Sequence, residues 1–156
     1  MHFTKAIVRI PGHSYADGLT TAVEGRPDFH AACAQHARYC QALRECGLEL
    51  SVLPADEVQP DGTFVEDTAV MAGSGAIITR PGAPSRRGEV AAITAALQAF
   101  RPVLGTVKAP GTLDGGDVCQ ADGHFFIGLS ARTNEAGAAQ LVALLAQHGY
   151  SASTVD

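Results

Sequence analysis

The stretch that decides the fold is Ala109-Pro110-Gly111-Thr112-Leu113-Asp114-Gly115-Gly116-Asp117, which leads into the apolar run 118–120. It places two carboxylates, those of Asp114 and Asp117, around a pair of glycines. Glycine permits backbone conformations that are not accessible to other residues, so the chain can turn sharply here. Such a turn can place an acidic side chain at the start of the following strand, pointing into a cleft. An acidic turn usually serves structure, as an Asx-turn or a strand lead-in. A second copy in the same chain favours a functional interpretation.

The second copy lies upstream and brings the same order of elements with it. Glu66-Asp67 precedes an apolar strand, a glycine turn, a second strand, Arg86, an alanine-rich helix and a third strand, and the same order runs from Asp117 through Arg132. Asp67 and Asp117 are 50 residues apart, and Arg86 and Arg132 are 46 apart. Recurrence at such a period is typical of propeller-like or stacked arrays. The first 53 residues look like a related unit with a long loop in place of the tight hairpin.

Each predicted unit therefore consists of strands and one helix, in the order ββαβ. The chain of 156 residues has the length of one domain. We predict a single α+β domain in three repeats, roughly residues 1–54, 55–109 and 110–156. The predicted strands are 5–10, 48–53, 68–71, 76–79, 103–108, 118–120, 124–129 and 150–155, and the helices begin after Asp28, at Glu89 and after Asn134, with residues 13–27 as a long loop.

Composition indicates a small-molecule partner. The net charge is -5 and the eleven Lys and Arg are scattered, so there is no electrostatic footprint for nucleic acid or for an acidic membrane surface. The first eleven residues lack the apolar run of a signal peptide, and no stretch reaches transmembrane length. We therefore expect a cytoplasmic protein.

The four cysteines do not have the spacing of a disulfide framework or a zinc ribbon. Cys33, Cys40 and Cys46 fall in one predicted helix, and Cys119 falls in a strand. His36 and Cys40, four residues apart with Cys33 alongside, are a conceivable zinc site, but the same positions carry the helix face that must be buried. We expect no metal and no cofactor.

The repeat gathers charged residues if equivalent positions of each unit point toward a common axis. Acids would then converge from one set of strand ends and arginines from another. A ligand that satisfies both is cationic at one end and carries a carboxylate at the other, as arginine and its relatives do. The alternative is that the arginines are solvated surface charges with local ion pairs. The candidate residues are Asp61, Glu66, Asp67 and Asp114 among the acids, with Arg86 and Arg132 just before helix N-termini.

Several motifs resemble one family. The segments 64–67, 77–82, 85–89, 109–117 and 127–134 look like those of dimethylarginine dimethylaminohydrolase, a guanidino-modifying enzyme of the pentein fold. The segment Asp17-Gly18-Leu19-Thr20 resembles its mobile lid. The match runs from about Lys5 to Gly149 and keeps the motifs in order.

The resemblance implies a propeller of five ββαβ units, of which about three are present, and hydrolysis of Nω-methylated arginine to citrulline and methylamine or dimethylamine. A cysteine thiolate attacks the guanidinium carbon, and a histidine protonates the departing amine. Carried over by position, Asp114 would orient that histidine and Asp67 would hold the guanidinium nitrogens. The remaining substrate-binding assignments are Leu19, Asp61 and Glu66 along the site and Arg86 and Arg132 on the α-carboxylate.

The resemblance also places the catalytic histidine and the nucleophilic cysteine in later units, so we expect this chain to be the substrate-binding portion and inactive alone. A different parent enzyme, an arginine deiminase or an amidinotransferase, would share the acidic and arginine positions. A third alternative is a non-catalytic binding or assembly module, whose open strand edges pair with a second copy to give a homo-oligomer.

Overall fold

The computed structural model describes residues 3–23 and 25–155. The chain forms two compact units, the first ending at Val65 and the second beginning at Glu66. None of the helices in these residues is long and apolar enough to cross a membrane. The strands are β1 (Lys5–Arg9), β2 (Glu49–Leu53), β3 (Ala69–Ala72), β4 (Gly75–Ile78), β5 (Val103–Thr106), β6 (Val118–Ala121), β7 (His124–Gly128) and β8 (Ser151–Val155), and the helices are α1 (Phe29–Glu45), α2 (Val90–Gln98) and α3 (Glu135–Gln147).

The first unit is a parallel pair of strands joined by one helix. β1 and β2 are in register with Ala6 opposite Leu50, and α1 makes the crossover that parallel strands require. The predicted cap is confirmed, because the Asp28 carboxylate accepts a hydrogen bond from the Ala31 N–H at 2.6 Å. The predicted loop 13–27 contains a 3₁₀ helix at His13–Asp17, which is too short to give a sequence periodicity, and its Glu24 lies outside the described residues.

The second unit contains two sheets of identical topology. In each sheet the first two strands are antiparallel and the third is parallel to the second, with the orders β3-β4-β5 and β6-β7-β8. A helix crosses between the second and third strand of each sheet, so both sheets are complete ββαβ repeats. The internal repeat predicted from the 50-residue spacing is confirmed.

The two repeats share one hydrophobic core around α3. Leu141 and Leu145 on this helix are fully buried in the same cluster as Ile77 of the first sheet and Phe125 and Ile127 of the second. Each such side chain stabilises the fold by about 1.5–3 kcal/mol through its removal from water. Neither repeat buries its apolar face alone, which explains why they form one compact unit.

The helix predicted to begin at Glu89 begins one residue later. Residues Pro84–Glu89 form a 3₁₀ helix, and α2 follows from Val90 to Gln98. Proline at the start of a helical turn fixes its own backbone angle and lacks the N–H that would be unpaired there, so a tight turn begins readily at Pro84. Asn134 caps α3 as predicted, with its side chain accepting from the Gly137 N–H at 2.8 Å.

Gly137 brings the first turn of α3 against the backbone of the 109–113 loop. A Cβ atom at this position would overlap the carbonyl oxygen of Thr112. Gly137→Ala should therefore destabilise the protein by about 1–3 kcal/mol, because overpacking outweighs the gain of about 1 kcal/mol in helix propensity. Urea denaturation measures this change. Gly128→Ala is the matched control, since a Cβ there meets only the Asp117 carbonyl oxygen at an ordinary 3.4 Å; a Gly137→Ala protein as stable as wild type would contradict the prediction.

Candidate functional site

Asp67 and Arg86 form an ion pair beside the start of the first strand of the first repeat, β3. Asp67 lies in the 3₁₀ turn Val65–Thr68 immediately before β3, and Arg86 lies in the 3₁₀ helix before α2. Arg86 Nη1 donates to Asp67 Oδ2. The second oxygen, Oδ1, accepts from the Gly116 N–H at 3.0 Å. The glycine pair of the second repeat thus helps to fix the acid of the first.

Glu89 holds the opposite edge of the same guanidinium. Arg86 Nε donates to Glu89 Oε1 at 2.9 Å, and Nη2 donates to Oε2 at 2.8 Å. Arg86 and Glu89 are only 5% and 3% exposed, so this bidentate pair is shielded from water. Burial opposes the charge of Arg86, but the hydrogen bonds from Glu89 and Asp67 outweigh it and raise the pKa of the guanidinium.

Asp114 and Arg132 form a second, looser pair. Asp114 is 5% exposed, and its Oδ1 accepts from the Gly82 N–H at 2.8 Å. Arg132 Nη1 lies 3.6 Å from Asp114 Oδ2. Burial raises the pKa of Asp114, and the negative charge of Asp67 acts in the same direction, whereas the Gly82 hydrogen bond and the two arginines oppose it.

Glu66 is the neighbour of Asp67 in the sequence, and the pKa of its carboxyl group is raised. Desolvation raises its pKa, and the neighbouring charge of Asp67 adds to the rise, although the residue as a whole is exposed. Its own backbone N–H and the charge of Arg86 act in the opposite direction. The second unit therefore holds three neighbouring acids, Glu66, Asp67 and Asp114, next to two arginines.

Asp117 supports the loop that carries Arg132. Its Oδ2 accepts from Ser130 Oγ at 2.7 Å and from Thr133 Oγ1 at 2.6 Å. Thr133 Oγ1 in turn accepts from the Asp114 N–H at 3.1 Å. Asp117 directly precedes β6, and it is also the acceptor at the centre of this network.

Leu19 and Asp61 meet in the first unit. The Leu19 N–H donates to both carboxylate oxygens of Asp61, at 3.0 and 3.2 Å. Asp61 is buried, whereas the Leu19 side chain is half exposed. The carboxylate thus fixes the backbone of the segment that resembles a lid.

In the second unit the acids and the arginines lie close to one another, and the predicted division into an acidic end and a basic end stays a prediction. Asp67 contacts Arg86, and Asp114 lies near Arg132, so opposite charges alternate. The physical reason is the burial of Arg86, because a guanidinium removed from water is costly unless carboxylates pair with it.

Sequence reasoning missed the residues that hold the site together. Glu89 is the bidentate partner of Arg86, and the Arg86–Glu89 spacing of three residues was a usable signal, because such pairs face each other on a helical turn. Gly82 had no comparable signal. It donates to Asp114, and a Cβ there would overlap the backbone of Arg132.

The cysteines take no part in the hydrogen bonds and ion pairs described above. Cys40 is buried on α1 with its Sγ 3.7 Å from His36 Nδ1, and Cys46 and Cys119 are exposed. Burial lowers the pKa of His36. Within residues 3–23 and 25–155, no group of three or more His, Cys, Asp or Glu side chains is arranged to hold a metal ion.

Comparison with known proteins gives consistent matches. Residues 57–155 match the family model described as arginine deiminase. N(G),N(G)-dimethylarginine dimethylaminohydrolase of Pseudomonas aeruginosa is 46% identical over 154 residues, which are 98% of this chain and 61% of that protein. The enzyme of the same name from Streptomyces coelicolor is 45% identical over 139 residues, which are 88% of this chain and 54% of that protein. The chain thus spans little more than half the length of these curated relatives.

A solved structure matches equally well. A cysteine-to-serine variant of the Pseudomonas aeruginosa enzyme, complexed with citrulline, superposes with a TM-score of 0.97 at 46% identity. The match covers 99% of this chain and 61% of the solved one. The match supports a pentein-type fold with mixed helices and sheets.

Removal of the Arg86 guanidinium should destabilise the second unit strongly. Arg86→Ala leaves the buried Glu89 carboxylate without its bidentate partner, and breaking such a pair costs about 3–5 kcal/mol. Denaturant titration gives the change in free energy of unfolding, with the exposed Arg101→Ala as control. A loss no larger than that of Arg101→Ala would contradict a buried ion pair.

The raised pKa of Asp114 gives stability a defined pH dependence. Over the range between its ordinary and its raised pKa, the folded state keeps a proton that the unfolded state has lost, so its contribution to stability falls as pH rises. Asp114→Asn removes this titration, and the variant should gain stability relative to wild type from acidic to neutral pH. Urea denaturation at a series of pH values measures the difference, with Asp122→Asn in the exposed β6–β7 turn as control for one lost charge. A constant difference across that range would contradict the assignment.

Proposed function

Because this chain belongs to the arginine deiminase family, in the pentein superfamily that contains dimethylarginine dimethylaminohydrolase, we propose that it binds substrate in the hydrolysis of Nω-methylated arginine. The products are citrulline and methylamine or dimethylamine. The observation that carries the proposal is the alternation of acids and arginines in the second unit. A methylated arginine offers the same two groups, a guanidinium for the acids and a carboxylate for the arginines.

The guanidinium end is assigned to Asp67 with Glu66. Asp67 binds a guanidinium in the structure, that of Arg86, and its second oxygen is oriented by the Gly116 N–H. A substrate guanidinium is the same chemical group and makes the same charge-assisted hydrogen bonds. Leu19 and Asp61 of the first unit are assigned to the substrate as well, on the strength of the resemblance.

The carboxylate end is assigned to Arg132 together with Arg86. The Arg132 side chain is 37% exposed, and its separation of 3.6 Å from Asp114 is long for a charge-assisted hydrogen bond. A ligand carboxylate can therefore approach this guanidinium at little cost in broken contacts. Arg86 is held more firmly and gives the site a fixed positive charge.

In the mechanism that the resemblance implies, a cysteine thiolate attacks the guanidinium carbon and a histidine protonates the leaving amine. The resemblance assigns both to units of the five-unit ring other than those described here, and the citrulline complex of a cysteine-to-serine variant supports a cysteine in that role in the relative. Asp114 orients the histidine. Asp114 is buried, and a buried carboxylate is stabilised by a cationic partner such as an imidazolium.

The 156-residue chain alone should release no citrulline from asymmetric dimethylarginine, whereas the protein encoded by the complete gene should release it. The reason is that the residues of this chain supply binding and orientation without the nucleophile. A colorimetric citrulline assay on both proteins measures this. Turnover by the 156-residue chain would show that the nucleophile is one of its own cysteines.

Arg132→Ala in the protein from the complete gene should raise KM for dimethylarginine by about 10- to 100-fold, the value of one charge-assisted hydrogen-bonded contact. Arg101→Ala is the matched control on the surface of the same unit. Steady-state kinetics with an unchanged KM would remove Arg132 from the carboxylate end.

Arginine deiminase activity is the second candidate, since the matching family model carries that description. The same protein assayed with unmethylated arginine and dimethylarginine distinguishes the two. A higher kcat/KM for unmethylated arginine would favour the deiminase.

A further inference from the structure

We propose that Asp117 is a positioning residue, which fixes Arg132 and Asp114 relative to each other through the hydroxyls of Ser130 and Thr133. This inference rests on the proposed function, in which Arg132 receives the substrate carboxylate and Asp114 orients the catalytic histidine. It assigns a purpose to the second acid of the repeated turn.

The direction of every hydrogen bond in this network is determined by chemistry. Backbone N–H groups can only donate, and Ser130 Oγ accepts from the Arg132 N–H at 2.9 Å and from the Thr133 N–H at 3.0 Å. Thr133 Oγ1 accepts from the Asp114 N–H at 3.1 Å. Each hydroxyl has one proton, and in both cases it is directed to Oδ2 of Asp117. An ionised carboxylate accepts only, so it suits this position.

The network links the two site residues by their backbones. The Arg132 N–H reaches Asp117 through one hydroxyl, and the Asp114 N–H reaches it through the other. The loop is closed further by the hydrogen bond from the Ser130 N–H to the Thr133 carbonyl oxygen at 3.0 Å, and Thr133 is almost fully buried. Asp117 therefore constrains the position of the Arg132 backbone relative to the Asp114 backbone, in addition to the contacts that Gly82 makes with both residues.

The two equivalent acids of the repeat perform different tasks. Asp67 binds a guanidinium directly, whereas Asp117 binds the hydroxyls that flank the arginine of its repeat. An ion pair of 3.6 Å between Arg132 and Asp114 is too long to hold their geometry alone. The hydroxyl network supplies the missing constraint, and a displacement of about 1 Å at such a site can cost up to 100-fold in rate.

The test compares two ligands on the protein encoded by the complete gene. Citrulline carries the α-carboxylate, and N-(4-aminobutyl)urea is the same molecule without it. Asp117→Asn and Thr133→Val should weaken citrulline binding by about tenfold and the decarboxylated ligand by less than about twofold, as measured by calorimetry. Thr133→Ser, which keeps the hydroxyl, should restore the wild-type preference, and Asp122→Asn controls for the charge.

A second readout does not depend on the ligand. Amide hydrogen exchange at Arg132 and Asp114 should accelerate in Asp117→Asn, in Thr133→Val and in the milder Ser130→Ala, and should return to the wild-type rate in Thr133→Ser. If the exchange rates and the ligand preference are the same in all variants as in the wild type, the inference is overturned. The proposed function is still supported in that case if the wild-type protein binds citrulline more tightly than the decarboxylated ligand. A wild-type protein without that preference would overturn the carboxylate assignment of Arg132 and the inference with it.

Discussion

The buried guanidinium of Arg86 is the constraint on which the second unit depends. Burial of a charged guanidinium is costly unless carboxylates pair with it. Glu89 and Asp67 form these ion pairs on two sides of the Arg86 guanidinium. The need for these partners places the turn before β3 against the turn before α2. In the proposed function, the Asp67 carboxylate that satisfies Arg86 also binds a second guanidinium, that of the substrate.

The glycine-flanked turn connects this cluster to the next repeat. Gly116 donates to Asp67, Gly82 donates to Asp114, and the backbone of Gly82 lies against that of Arg132. Each repeat therefore supplies a backbone donor to an acid of the other. Because α3 packs into the core of both sheets, the strands that these two turns flank belong to one packed unit.

Much of the fold was predictable because its signals are local. The capping residues Asp28 and Asn134, the two hairpins and the repeat period each follow from a few neighbouring residues. The sequence identified Asp67, Arg86 and Arg132 as charged positions that recur in the repeat, and Asp114 as an acid of the glycine turn. It did not show which acid contacts which arginine, because that pairing depends on burial. The Asp117 network was also missed. Serine and threonine are common in loops, and no sequence pattern shows which of their hydroxyls bind a carboxylate.

The short span of the Arg86 cluster has a consequence for folding kinetics. Asp67, Arg86 and Glu89 lie within one hairpin and the turn that follows it, so bringing them together closes a small loop and costs little chain entropy. Contacts of such low sequence separation form early relative to long-range pairings. The ion pairs around Arg86, whose partners are at most 19 residues apart, are thereby able to form as a local nucleus before the hydrogen bond from Gly116 to Asp67, whose partners are 49 residues apart.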